Sequence, residues 1–187
     1  MCFTCRYPNH WVESGRKIGA ERMRTIKNTD PQTTFLKAVD EDTGDIMGMA
    51  KWNVYDNHLP DPTKKKPMGD YWENDDEKLF ASHMIEIFIV ERNAAIKNSN
   101  GNLVSLDILT IDPAFQRRGV GGKLVEWGTS KADKMGVDAV VESSVFGKGL
   151  YLKHGFNFIK DVTISPPEKW AGREEAKFAW LVRPKKQ

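Results

Sequence analysis

The stretch 103–135 constrains the fold more than any other: Leu103 to Ile111 is strand-like, with Val104, Leu106, Ile108 and Thr110 alternating, Asp112-Pro113 follows, and Gln116-Arg117-Arg118-Gly119-Val120-Gly121-Gly122 opens a second apolar pattern. Proline blocks continuation of the first pattern, which therefore reads as a strand ending in a turn. Beyond Gly119, Val120, Leu124, Trp127 and Met135 mark one face of a helix, and Gly136 suits its C-cap. The chain must therefore bring a strand end, a basic glycine turn and a helix N-terminus together.

The first amides of a helix have no intrahelical acceptor, and its dipole favours negative charge there. Glycines let an anion approach the backbone closely, and Arg117 and Arg118 add guanidinium donors at the rim, so the segment suits a pyrophosphate. The plainer reading is a tight turn with solvated arginines. Spacing separates the phosphate-binding loops. A dinucleotide fingerprint needs glycine where Leu124 stands, and a Walker A loop needs Ser or Thr after Gly122-Lys123. A kinase glycine loop lies between two strands, whereas this one opens a helix.

The rest of the chain sets the frame. Its 187 residues are enough for one domain with a core and short for two. The 28 basic and 26 acidic residues leave a formal charge of +2, which argues against a face-wide nucleic-acid surface. No apolar run approaches the roughly 20 residues of a membrane span, so neither a membrane nor a nucleic acid is an expected partner. No secretory leader pattern opens the chain, and a cytoplasmic location is the default expectation. Cys2 and Cys5 form a lone CxxC without a second pair, which reads as reduced thiols and not a metal site.

Periodicity predicts a helix over 9–27 that ends near Asp30-Pro31, a hairpin from 33–39 and 46–54 around Gly44, and a proline-rich and charged loop over 56–76. A loop of that length is a binding loop or an insertion, and its Lys64-Lys65-Lys66 run is ordinarily a solvated face. Asn74 followed by Glu77 fits a capping box, opening a helix that runs to a stop at 98–101, although 84–90 alone could be a buried strand. Residues 137–143, 156–164 and 177–183 read as strands and 149–154 as a short helix.

The arm Gln116-Arg117-Arg118-Gly119-Val120-Gly121 resembles the Q/R-x-x-G-x-G/A pyrophosphate arm of the GNAT superfamily of N-acetyltransferases. The stretches Leu106 to Pro113, Glu142-Ser143-Ser144 and Leu150-Tyr151-Leu152-Lys153-His154-Gly155-Phe156 resemble the small fungal-type members over residues 30–165. The resemblance implies an α/β GNAT fold: a mixed, mostly antiparallel twisted sheet splayed between the strands of Asp107 and Val141, with helices on both faces. It implies acetyl-CoA as acyl donor, with pantetheine on the backbone of Leu109, Thr110 and Ile111. The pyrophosphate would lie on Gln116 to Gly122 and Lys123, with Gly147 and Lys148 near the exit path and Tyr151 beside the thioester. The family also has a strand and helix before the 9–27 segment. Little room remains for them, so 1–30 reads as a shortened N-terminal part, with 1–6 as a short strand and an edge that a homodimer could cover.

The implied chemistry is acetyl transfer to a primary amine, on a small molecule or a peptide, through a ternary complex. Tyr151 stands where the family often holds a general acid; the alternative is a packed aromatic. Asp107 is a carboxylate inside an apolar strand, whose pKa should rise unless it is partnered. By period two it shares a face with Ser105 and Leu109. Some members hold a glutamate where Ser105 stands, so Asp107, Glu142 on the neighbouring strand, or a water relay is the candidate base; for either carboxylate a structural hydrogen-bonding role is the alternative. A CoA-binding regulatory module with the same fold is the second reading.

Overall fold

The computed structural model describes residues 3–61 and 69–186. Cys2 and the Lys64-Lys65-Lys66 run lie outside them. In chain order the elements are α1 (Phe3–Arg6), α2 (Glu13–Thr29), β1 (Thr33–Val39), β2 (Ile46–Tyr55), α3 (Asp75–Phe88), α4 (Val90–Asn98), β3 (Leu103–Ile111), α5 (Val120–Met135), β4 (Asp138–Ser143), α6 (Lys148–Lys153), β5 (Asn157–Ile164) and β6 (Ala176–Arg183). Six strands form one sheet in the order β1-β2-β3-β4-β6-β5, and only the β3–β4 pair is parallel. No helix among the described residues is long and apolar enough to cross a membrane.

One face of the sheet is covered by α5. Ala50, Trp52, Val104, Leu106, Val141 and Leu181 meet Val120, Leu124, Val125 and Ala132 there. Gly128 lets the helix sit close, because a Cβ at that position would stand 2.3 Å from the Trp52 ring, whose Nε1 donates to the Leu124 carbonyl at 3.2 Å. On the other face α3 turns Phe80, Ala81, Met84 and Phe88 inward against Phe178, Trp180 and Trp170. The expected single helix after Asn74 is two: Asn74 accepts from Glu77 N–H at 2.9 Å, and Ile89, at φ −91° and ψ 3°, breaks the run between α3 and α4. The N-terminal strand expected over 1–6 is instead a helical turn, α1, which packs beside α3.

Two irregularities in β3 position everything that follows. Its pairing with β4 runs only from Leu103↔Asp138 to Leu106↔Val141, after which the strands part. On its other edge, Trp52 faces Leu106 and Lys51 faces Ile108, so Asp107 is an extra residue in the ladder. Such a bulge resets the alternation of side chains. The face shared by Ser105, Asp107 and Leu109 in a regular strand is therefore broken: Leu109 and Ile111 pack with Leu106 against the α5 core, while Asp107 turns toward α4.

Candidate active site

At the point where β3 and β4 part, the backbone carries the first part of the site. Asp112 caps the turn after β3 by accepting from Ala114 N–H at 2.8 Å, and Gln116 Nε2 donates to the Ile111 carbonyl at 3.4 Å. Arg117 has φ 59° and Gly119 φ 83°, so both adopt left-handed backbone, which costs a non-glycine residue about 1 kcal/mol or more. The first amide donated within α5 is Lys123 N–H to the Gly119 carbonyl at 3.2 Å, leaving Val120, Gly121 and Gly122 amides without intrahelical acceptors.

Space matches these donors. A Cβ on Gly119 would meet nothing within 4 Å, and one on Gly121 would stand 3.3 Å from Leu150 and 3.7 Å from Ile111. The helix start, the end of β3 and α6 thus converge on one mouth. Arg118 sits on its rim, 5.2 Å from the Phe115 ring centre and 3.6 Å from Asp40, with over half its side chain exposed. Leu109 and Ile111 are half-buried and Thr110 is exposed along the unpaired length of β3. Lys123 lines an outer groove of α5 with Trp127 and Lys131. Lys148 turns toward β5, 3.4 Å from the Phe158 ring centre.

Tyr151 closes the inner end. Its ring packs edge-on to Phe156 at 5.8 Å, and a Cβ on Gly147 would stand 3.1 Å both from that ring and from Ser143 Oγ, so Gly147 lies close to both the phenol ring and the last residue of β4. Among the described residues no protein group hydrogen-bonds its hydroxyl. Burial pushes the phenol well above its ordinary value.

On the opposite face of the sheet the same junction holds a buried charge cluster. Asp107, with 1% of its side chain exposed, accepts from Arg6 at 2.7 Å, Lys51 at 2.7 Å and Arg92 at 2.8 Å. Glu142 is fully enclosed and takes the other edge of Arg92 through both carboxylate oxygens. Burial alone would raise the Asp107 carboxyl, but Arg6, Arg92 and Lys51 hold it well below the usual carboxylate range. Asp107 therefore follows the partnered branch of the sequence reading, and its carboxylate is a weak base. Burial lowers the Lys51 ammonium from its ordinary value, with Asp107 opposing. Ser105 Oγ, wholly buried on the same face, has no hydrogen-bond partner among the described residues.

Sequence reasoning brought together the arm, Tyr151, Asp107 and Glu142, but missed Arg6, Lys51 and Arg92. The signal for Lys51 was available. It sits between Ala50 and Trp52 in a strand buried on both faces, where an ammonium needs a counter-ion.

The site thus combines a parted sheet with open helix-start amides on one side and a buried charge cluster on the other. The profile described as "Acetyltransferase (GNAT) domain" matches residues 64–165, just over half of the chain, and the chain belongs to that family. No curated protein sequence matches it. Among solved structures it is similar to a mosquito arylalkylamine N-acetyltransferase (17% identity, TM-score 0.60, covering 88% of this chain and 80% of that one). A polyamine N-acetyltransferase of Drosophila melanogaster that forms N-acetylagmatine is comparable (18%, 0.58, 87% and 80%). A phosphinothricin acetyltransferase of Sinorhizobium meliloti, solved in complex with acetyl-CoA, also matches (14%, 0.52, 91% and 69%). The protein therefore carries a GNAT acetyltransferase domain, and these solved structures share its fold.

Proposed function

We propose that the protein transfers the acetyl group directly from acetyl-CoA to a primary amine of a small molecule or a peptide, within a ternary complex. The observation that carries this is the parting of β3 and β4 beyond Leu106 and Val141, flanked by the open amides of α5 and by Tyr151. The pyrophosphate would rest on the amides of Val120 to Gly122 with Arg117 and Arg118 at the rim, and the pantetheine along Leu109, Thr110 and Ile111. The thioester would then reach the junction, and the acceptor would approach from the face of Asp107. With donor and acceptor meeting at one point, direct transfer needs no acetylated enzyme.

In the transfer, the amine nitrogen attacks the thioester carbonyl carbon, and the carbon–sulfur pair leaves with sulfur. Tyr151, kept neutral by burial, gives its proton to that sulfur and regains one from water. The attacking nitrogen must arrive unprotonated and shed its remaining extra proton. Asp107 is held by three cations, and both Glu142 oxygens by Arg92, so they act better as scaffold than as base. The cluster itself helps: nearby positive charge lowers the pKa of an amine, favouring its neutral form, and the proton leaves to water. Initial-rate kinetics with both substrates varied tests the scheme. Intersecting double-reciprocal lines support a ternary complex, and parallel lines would require a covalent acetyl-enzyme.

A further inference from the structure

The charge balance at the acceptor side is unequal. Arg6, Lys51 and Arg92 surround Asp107, and Arg92 also pairs with Glu142, so three cations meet two carboxylates that are themselves buried. A fourth cation adjoins them. Arg22 of α2 donates to the Arg6 carbonyl and is stacked among Tyr71 at 4.2 Å, Tyr7 at 5.3 Å and Trp72 at 5.6 Å. Among the described residues no carboxylate pairs with Arg22. Burial weakens its hold on its proton, Tyr7 and Tyr71 oppose that, and Arg6 adds repulsion. Arg22 is half-buried, and a guanidinium fixed by aromatic faces without a carboxylate partner is pre-organised to take a carboxylate or phosphate. The patch is open: 19% of the Arg6 side chain and 10% of Lys51 remain exposed.

We infer that the acceptor carries an anionic group, a carboxylate or a phosphate, beside its amine, and that Arg22 with Arg6 and Lys51 selects for it. The inference rests on the amine-acetylating reading above for where the acceptor lies. It also separates this chain from an enzyme for purely cationic amines: Asp107, the carboxylate at the junction, is already saturated, and a second cation would meet net repulsion.

Matched pairs test it: tyrosine against tyramine for a carboxylate, and O-phosphoethanolamine against ethanolamine for a phosphate. Calorimetry on protein saturated with CoA gives binding ratios, and free-thiol release with acetyl-CoA gives turnover ratios. At least one anionic member should bind ten-fold or more tightly than its partner. That ratio should collapse in Arg22→Gln and be partly kept in Arg22→Lys. Equal or absent binding of both members in both pairs overturns the inference, as does a ratio unchanged in Arg22→Gln. The wild-type ratio stands even if a variant folds poorly. Preference in binding without any thiol release upholds the anion site and overturns the enzymatic reading instead.

Discussion

Asp107 shows how one residue can be decisive without touching the reacting atoms. It is the inserted residue of the β3 bulge, which aims it at α4, and three cations converge on it. Asp107→Asn should destabilise the fold by about 3–5 kcal/mol, because it leaves buried cations unpaired. The sign of the pH effect follows from the depressed folded-state pKa. Between that value and the unfolded one, near pH 4, the unfolded chain binds more protons, so the pair's stability is present above pH 4 and lost as pH falls. Urea unfolding from about pH 6 down to about pH 2.5 should show the wild-type midpoint falling more steeply than that of Asp107→Asn. Parallel curves would place the acid dependence elsewhere. For Tyr151, loss of the hydroxyl in Tyr151→Phe should lower kcat about 100-fold with little change in acetyl-CoA affinity. Because burial raises the phenol, the wild-type rate should not fall through the ordinary tyrosine range as pH rises. An unaltered kcat in the phenylalanine variant would leave Tyr151 as packing only.

At the level of elements, α5 does two jobs: it seals the sheet and it presents its N-terminus. Gly128 serves the first, since any side chain there enters the space of the Trp52 ring. Gly128→Val should cost about 1–3 kcal/mol by overpacking, measured as a lowered denaturation midpoint. Gly121 serves the second. Gly121→Trp should abolish acetyl-CoA binding by filling the mouth between Ile111 and Leu150, and calorimetry showing native affinity would remove the arm from the site. These features were legible in the sequence, because the helix period of Val120 to Met135 and the glycine spacing are local properties. The same holds for the β1–β2 hairpin and the C-cap at Gly136. The bulge at Asp107 was not, since it arises from the register between β2 and β3, and it alone moved Leu109 to the other face. The helical turn α1 was equally hidden: four residues carry too little pattern, and their conformation is set by packing against α3 and by the Cys5 carbonyl accepting from Trp72 Nε1 at 3.1 Å. The cluster partners Arg6, Lys51 and Arg92 come from three distant segments, and only tertiary contact joins them.

In the whole molecule, the proposed two-substrate reaction would divide its labour between the two faces of the sheet. The face under α5 offers uncompensated backbone donors suited to the polyphosphate of acetyl-CoA, and the face under α3 and α4 offers the buried cations and Tyr55, whose phenol burial also raises. The parted β3 and β4 strands connect them. On this reading the family was recognisable from 103–135 while the acceptor was not, because the donor would be held by backbone, whose pattern is local, and the acceptor by side chains assembled across the fold. The central claim is transfer of acetyl from acetyl-CoA to an amine at this junction. Its most direct measurement incubates the purified protein with isotope-labelled acetyl-CoA and an amine panel, following labelled product by mass spectrometry and free thiol together. The account predicts an N-acetylated amine formed in equal amount with CoA thiol, and lost with Gly121→Trp. Tight acetyl-CoA binding with thiol release no faster than in buffer, for every amine, would contradict it.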